Sequence, residues 1–221
     1  MTASLMKKTI FSILVSSSSL LCAGALTPTP STPKEALNQL IKGNERYSSD
    51  QLIHPNRSST RRESLSNSQA PFAAVVGCSD SRVSPTLIFD QGVGDIFEVR
   101  IAGNVLGPIE LASVEYAVKI LGSSLIFILG HENCGAVDAV LKGQTQDIEP
   151  IADKIKDALS NISNPSKITL ETAIKANVRN VISQLKANPL IKQFIQQKKL
   201  EVVGGYYHLE SGKVELCCDL P

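Results

Sequence analysis

Hydrophobic residues in the centre of the chain are concentrated in three short runs, separated by segments with a helical repeat. The first and third runs, residues 72–77 and 125–130, are continuous and apolar, which is typical of strands buried on both faces of a sheet. The second run, residues 96–101, includes Glu98 and Arg100 and is predicted as a strand. Residues 108–121 carry apolar side chains three and four positions apart, which predicts a helix. A further helix is expected to begin near Cys134. Strands that alternate with helices favour a parallel sheet covered by helices.

The segment before these runs predicts a helix followed by an irregular stretch. Thr32 and Glu35 have the spacing of a capping box, and Pro33 suits the first position of the helix that follows. Residues 48–70 are polar and show no clear period, so we expect a loop or an arm that lies over another surface.

The segment after the runs predicts helices and then a hairpin. Residues 150–199 look helical throughout, with breaks near Asn164-Pro165 and Asn188-Pro189. Residues 201–207 and 213–217 are strand-like, which predicts a terminal hairpin. The expected fold class is therefore α/β: a central, mostly parallel β-sheet flanked by helices, with an N-terminal helical arm and a C-terminal hairpin.

The first residues have the features of an export signal. Lys7 and Lys8 precede an apolar stretch that contains five serines, and Ala23-Gly24-Ala25 fits the small-residue rule for cleavage. We therefore expect a signal peptide over residues 1–25, a linker over 26–32 and a single domain over 33–221, with the mature protein in the periplasm. The apolar stretch is too short and too rich in serine for a stable membrane span, and the alternative is an uncleaved N-terminal anchor.

Composition excludes several classes of protein. The chain has 221 residues, with 22 Lys and Arg against 21 Asp and Glu, and 43% of its residues are hydrophobic. This length suits one domain with a real core. The charge balance lacks the basic excess that a general nucleic-acid binder needs to neutralise phosphates.

Three residues that can bind a metal follow two of the predicted strands. Cys78 comes directly after the first run, and His131 and Cys134 come directly after the third. The carboxyl ends of parallel strands form the ligand-binding edge of an open α/β sheet, so these side chains are expected to converge. Two thiolates and one imidazole favour Zn²⁺ and leave the fourth tetrahedral position open, as in catalytic zinc sites. The alternative is a pair of structural buried thiols beside a histidine at the end of a strand.

Asp80 and Arg82 lie beside this expected metal site. An ionised Asp80 can orient a water at the open position, and Arg82 can keep Asp80 ionised and away from the metal. The alternative is an ordinary salt bridge in a turn. Two thiolates neutralise the charge of Zn²⁺, so we expect activity to develop at mildly alkaline pH.

The segments around these residues resemble one family. Cys78-Ser79-Asp80-Ser81-Arg82, followed by His131-Glu132-Asn133-Cys134-Gly135, is similar to the β-class carbonic anhydrases, in particular to their plant-like branch. The resemblance covers about residues 33–217. It implies one Zn²⁺ per subunit on Cys78, His131 and Cys134, with Asp80 and Arg82 as the catalytic dyad. The implied reaction is the reversible hydration of carbon dioxide to bicarbonate and a proton.

The same resemblance implies a substrate pocket shared between two subunits. Gln69, Phe97, Ala102, Tyr116 and Gly135 match substrate-binding positions of the family. Gln69, Phe97 and Tyr116 would come from the neighbouring subunit, which implies a homodimer or a higher homo-oligomer. The alternative for Phe97, Ala102 and Tyr116 is core packing.

Several alternatives stay open at this stage. Similar zinc sites support hydrolysis of carbon disulfide or carbonyl sulfide, and a zinc-binding or redox-responsive protein without catalysis is a different class. No residue is identifiable as a proton shuttle, because His54 and His208 suit surface or packing positions. Cys217 and Cys218 suit buried thiols, a disulfide between neighbours or an intermolecular link. Some family members bind bicarbonate at a regulatory site through a tryptophan, and the matching position here is Val75.

Overall fold

A computed structural model describes residues 29–160, 162 and 168–217 of the chain. In chain order the helices and strands are α1 (Pro33–Ser48), α2 (Ser59–Ser64), β1 (Ala73–Gly77), α3 (Pro85–Ile88), β2 (Ile96–Arg100), a 3-10 turn (Ala102–Asn104), α4 (Pro108–Lys119), β3 (Leu125–His131), α5 (Gly135–Leu141), α6 (Glu149–Ser160), α7 (Leu170–Ala187), α8 (Pro189–Gln196), β4 (Glu201–Tyr207) and β5 (Val214–Cys217).

The strands form one sheet in the order β2-β1-β3-β4-β5. The first four strands are parallel, and β5 runs antiparallel to β4. Gly77 at the end of β1 pairs with Arg100 of β2 and with Leu129 of β3. The prediction of a mostly parallel sheet with a C-terminal hairpin is confirmed.

Both faces of the central strands are buried, as their continuous apolar runs predict. Every residue of β1 and β3 is buried. Alternate side chains point to opposite faces, so Ile126 and Ile128 pack with α4, α7 and α8, whereas Phe127 and Leu129 pack with α1 and α3. Full burial of one such side chain stabilises the fold by about 1.5–3 kcal/mol. The well-packed strands β1 and β3 therefore fix the positions of the residues that follow their carboxyl ends.

The start of α1 has the predicted capping box. The Thr32 hydroxyl accepts a hydrogen bond from the Glu35 backbone N–H at 3.2 Å, and the Glu35 carboxylate accepts one from the Thr32 N–H at 3.1 Å. These two bonds satisfy amides that the first helical turn leaves unpaired.

The segment 48–70 contains more structure than its polar pattern predicts. A short helix, α2, occupies Ser59–Ser64 and begins where the Ser58 hydroxyl accepts a hydrogen bond from the Arg61 N–H at 3.1 Å. A helix of six residues is too short to display a hydrophobic repeat, so this cap is its only sequence signal.

Two acidic side chains from the segment between α3 and β2 hold this arm in place. The buried Asp90 carboxylate accepts hydrogen bonds from Arg46 at 2.7 Å and from the backbone N–H groups of Ile53 and His54, both at 3.1 Å. Burial alone would raise the pKa of Asp90, but these hydrogen bonds outweigh it and the pKa is lowered. Asp95 similarly accepts bonds from the arm, through Asn56 and Arg61.

Some predictions fall on residues outside the described ranges. These are the signal peptide over 1–25, the first residues of the linker, the break at Asn164-Pro165 and the state of Cys218. Within the described residues, none of the helices combines the length and the apolar character needed to cross a bilayer.

Candidate metal centre and active site

Cys78, His131 and Cys134 meet at the carboxyl edge of the sheet. Cys78 directly follows β1, His131 is the last residue of β3, and Cys134 caps the N-terminus of α5. Their potential ligand atoms all lie within 4.8 Å of one another, and all three residues are buried. The tight turn between the last two depends on Asn133, whose φ of 53° lies in the left-handed region that asparagine tolerates.

The His131 ring is oriented for a metal on one nitrogen. Its Nδ1 lies 2.8 Å from the Glu132 backbone oxygen. Because a carbonyl oxygen only accepts hydrogen bonds, Nδ1 carries the proton and donates a hydrogen bond to it. The lone pair is then on Nε2, which is buried and has no hydrogen-bond partner among the described residues. A buried nitrogen without a partner is costly, and a cation held between Nε2 and the two sulfurs removes that cost. The residues present therefore fit a zinc ion.

The two thiols form a coupled buried pair. A hydrogen bond from the Cys134 thiol lowers the pKa of Cys78. The pKa of Cys134 is raised because its proton is held in that bond, and because burial and the Cys78 charge oppose a second thiolate. A divalent cation offsets this repulsion and allows both sulfurs to ionise.

Two groups from β2 and the turn after it support Cys78. The Arg100 guanidinium donates to the backbone oxygens of Cys78 at 3.1 Å and Asp80 at 2.8 Å. The Gly103 backbone N–H donates to the Cys78 Sγ at 3.3 Å. Neither role is visible from the sequence alone. Arg100 pairs with Gly77 in the sheet register, and that register is the signal that places it beside Cys78.

Asp80 and Arg82 form a two-pronged ion pair at the same edge. The Arg82 Nε and Nη2 donate to the two carboxylate oxygens at 2.9 and 2.7 Å, and the Arg82 backbone N–H donates to Oδ1 at 2.9 Å. The side-chain bonds from Arg82 are the main reason that the pKa of Asp80 falls to about 2. The Asp80 Oδ2 lies 3.9 Å from the His131 Nε2, beside the ligand atoms, yet Asp80 is not a member of the group that could hold the ion.

Two of the five predicted substrate-binding residues lie next to this centre within one chain. Ala102 precedes Gly103, whose N–H contacts Cys78. Gly135 directly follows Cys134 and begins α5.

The other three predicted substrate-binding residues lie elsewhere on the same chain. Phe97 pairs with Ala74, three residues before the carboxyl end of β1, which is about 10 Å along the strand. Tyr116 contacts Phe97, with ring centroids 6.3 Å apart. Gln69 is exposed and precedes β1, at the opposite end of the strand from Cys78. One chain does not bring Gln69, Phe97 and Tyr116 to the metal ligands.

Known proteins similar to this chain are carbonic anhydrases. The family model described as carbonic anhydrase matches residues 73–214. A carbonic anhydrase of Mycolicibacterium smegmatis is 38% identical over 193 residues, which cover 84% of this chain and 94% of that protein. Carbonic anhydrase 2 of Mycobacterium tuberculosis is 36% identical over 199 residues, which cover 83% and 92%.

Solved structures show the same fold. The Coccomyxa β-carbonic anhydrase in complex with acetazolamide has a TM-score of 0.66 at 25% identity, covering 81% of this chain and 85% of that one. The Aspergillus fumigatus β-carbonic anhydrase CafA has a TM-score of 0.65 at 27% identity, covering 85% and 92%. The family match, the bacterial relatives and these structures agree with the Cys-His-Cys centre and its Asp-Arg pair, and the chain belongs to the β-class carbonic anhydrases.

Proposed function

We propose that this protein catalyses the zinc-dependent, reversible hydration of carbon dioxide to bicarbonate and a proton. One observation carries the proposal: the ligand atoms of Cys78, His131 and Cys134 lie within 4.8 Å of one another. Among them, His131 Nε2 is buried and has no hydrogen-bond partner in the described part of the chain. The Asp80–Arg82 pair at the same edge favours catalysis over a purely structural metal site.

Cys78 Sγ, His131 Nε2 and Cys134 Sγ would hold the zinc ion. When bound, zinc acts as a Lewis acid that lowers the pKa of a water at its open position and so supplies a nucleophile. The hydrogen bond from the His131 ring to the Glu132 backbone oxygen fixes the ring and its tautomer, which orients that ligand.

Asp80 orients the attacking oxygen. Its carboxylate is ionised throughout the physiological range, because its pKa is about 2, and an ionised carboxylate only accepts hydrogen bonds. Asp80 would therefore accept a hydrogen bond from the O–H of the attacking water or hydroxide, and this bond would turn a lone pair of that oxygen toward the substrate. Both carboxylate oxygens are also engaged by Arg82, which holds Asp80 back from the neighbouring ligand atoms.

We further propose that a second copy of the chain completes the pocket. Tyr116 is 46% exposed, and Ile109 and Ile120 on the same side of α4 are 76% and 62% exposed. An exposed row of large apolar side chains is typical of an interaction surface. A homodimer or larger homo-oligomer would cover these side chains and bring Gln69, Phe97 and Tyr116 of one subunit to the metal centre of another.

Export to the periplasm is also part of the proposal. It is supported by the lysine pair, apolar stretch and small residues within positions 1–25. Cell fractionation, together with the mass of the purified protein, tests it. A full-length protein in the cytosolic fraction would contradict it.

A combined metal and activity measurement tests the reaction. The purified protein should hold one zinc per chain and hydrate carbon dioxide in a stopped-flow assay with a pH indicator. Cys78→Ser should lose both the metal and the activity, because it removes a ligand. Asp80→Asn should keep the metal and lose turnover, since a neutral amide also presents an N–H donor to the site. Zinc-loaded protein without hydration activity would refute the proposal, and assays with carbon disulfide and carbonyl sulfide would then be informative.

A further inference from the structure

A buried side chain on α7 reaches the metal centre through the backbone of another element. Asn177 is 1% exposed, and its Nδ2 donates to the Gly103 backbone oxygen at 2.7 Å across 74 residues of sequence. Gly103 in turn donates its own N–H to the Cys78 Sγ at 3.3 Å. Asn177 is thus connected to a metal ligand by two consecutive hydrogen bonds.

Gly103 needs such an anchor because its conformation is unusual. Its φ is 71° and its ψ is 14°, a left-handed conformation that glycine adopts freely but also leaves freely. A Cβ at this position would lie 3.1 Å from Ile155 Cδ1 and 3.2 Å from Ala136 Cβ, so a bulkier residue could not restrict the turn without displacing its neighbours. The hydrogen bond from Asn177 restricts the glycine from outside.

The cost of burying Asn177 supports a specific role for this bond. The Asn177 Oδ1 is buried and has no hydrogen-bond partner in the described part of the chain. Burying half of an amide without a partner destabilises a fold, and an apolar side chain of similar size would avoid that cost. The favourable contact that Asn177 makes through Nδ2 is directed at Gly103.

We propose that Asn177 is a positioning residue for the zinc site: it holds Gly103 so that the Gly103 N–H stays on the Cys78 sulfur. This fixes the direction of the sulfur lone pairs and withdraws charge from the thiolate. Loss of a group that hydrogen-bonds a metal ligand directly, as the Gly103 N–H does, typically changes metal affinity by 10- to 100-fold. Asn177 acts one bond further out, so its loss is expected to fall at the lower end of that range. The inference rests on the proposed function, because it assumes that Cys78 binds zinc.

The test compares Asn177→Leu and Asn177→Ala with a matched control, Asn44→Leu. Asn44 is also a buried asparagine that donates to backbone oxygens, Ile88 at 3.1 Å and Gly212 at 2.8 Å, but Ile88 packs in a different core cluster from Cys78 and Cys134. Each protein is measured for zinc affinity by chelator competition, for thermal stability, and for its absorption spectrum with Co²⁺ in place of zinc.

Both Asn177 variants should bind zinc about 10-fold or more weakly than wild type. Their sulfur-to-cobalt charge-transfer band should move to longer wavelength, because a sulfur that loses its N–H donor gives up its electrons more easily. Asn44→Leu should lose thermal stability and keep both the affinity and the band. The alanine variant adds neither bulk nor charge, so it gives the result even if the leucine variant does not fold.

Two outcomes overturn the inference, and they are distinguishable. Asn177 variants with wild-type zinc affinity and an unshifted band would show that Asn177 only supports the fold. Wild-type protein that binds no zinc would refute the proposed function, and the role of Asn177 with it.

Discussion

Replacing Arg82 by glutamine should reduce turnover without removing the metal. Arg82 is not among the three converging ligands, so zinc content should stay at one per chain. The substitution removes both side-chain bonds to the Asp80 carboxylate, at 2.9 and 2.7 Å. Asp80 is then free to move toward the ligand atoms, one of which, His131 Nε2, is 3.9 Å from its Oδ2.

The magnitude follows from the electrostatics of the pair. The pKa of Asp80 is lowered from its ordinary value of 3.8 to about 2, which corresponds to at most ~2.4 kcal/mol, since one pKa unit is about 1.36 kcal/mol. Arg82 is 51% exposed, and the Arg82 backbone N–H contributes to the same shift and survives the substitution. Solvent screening therefore leaves the side chain only the lower part of that range, and we expect a loss of about 5-fold in the population of correctly placed Asp80.

The assay separates position from ionisation. Even with an ordinary pKa, Asp80 is ionised at pH 8, so a loss of turnover at that pH reports the position of the carboxylate and not its charge. We expect turnover to fall about 5-fold or more, with full zinc content. The matched control is Lys142→Gln, which removes an exposed ion pair of 2.6 Å with Asp138 on α5. Zinc-loaded Arg82→Gln with wild-type turnover would refute this role for Arg82.

Three further predictions concern the assembly, the fold and the pH dependence. Mixing Cys78→Ser with Gln69→Ala, each inactive alone, should restore part of the activity through mixed oligomers, and no recovery after subunit exchange would argue against a shared pocket. Asp90→Asn should lower the free energy of unfolding by about 1.5–3 kcal/mol near neutral pH, because it removes the charged acceptor of the Arg46 hydrogen bond while Arg46 itself stays 26% exposed to water. The pKa of Asp90 is lowered in the folded protein, so its contribution to stability is complete above the unfolded pKa of about 3.9 and is lost as the pH falls through the folded pKa. In urea titrations at pH 7, 5 and 3, the free energies of unfolding of wild type and variant should therefore converge as the pH falls. A difference that stays constant with pH would contradict this prediction. Hydration activity should rise from neutral to mildly alkaline pH because two thiolates offset the charge of zinc, whereas a flat pH profile would contradict that charge argument.

The fold was predictable from sequence where the pattern is local. The runs at β1 and β3 are buried on both faces, and burial on both faces is what removes polar residues from the sequence of a strand. The α1 cap was predictable because its donors and acceptors lie three residues apart. The helix α2 was missed because six residues are too few to show a repeat.

The candidate site was predictable only in part. Cys78, His131 and Cys134 could be grouped because each follows or ends a strand, and parallel strands bring their carboxyl ends to one edge. Asp80 and Arg82 are two and four residues from Cys78 and come with it. The groups that support the ligands could not be predicted, because Asn177 and Gly103 are 74 residues apart and their contact depends on how α7 packs on the sheet.

The sequence by itself determined the strands, their mostly parallel arrangement and the chemistry of the ligands, because hydrophobic periodicity, the alternation of strands with helices and side-chain type are all visible along the chain. Tertiary structure alone decided which backbone groups support the Cys78 sulfur and the Asp80 turn, since those bonds join segments that meet only after the sheet has formed. It also decided that Phe97 and Tyr116 lie away from their own metal centre, because strand register and helix packing set the direction of a side chain that no local pattern specifies.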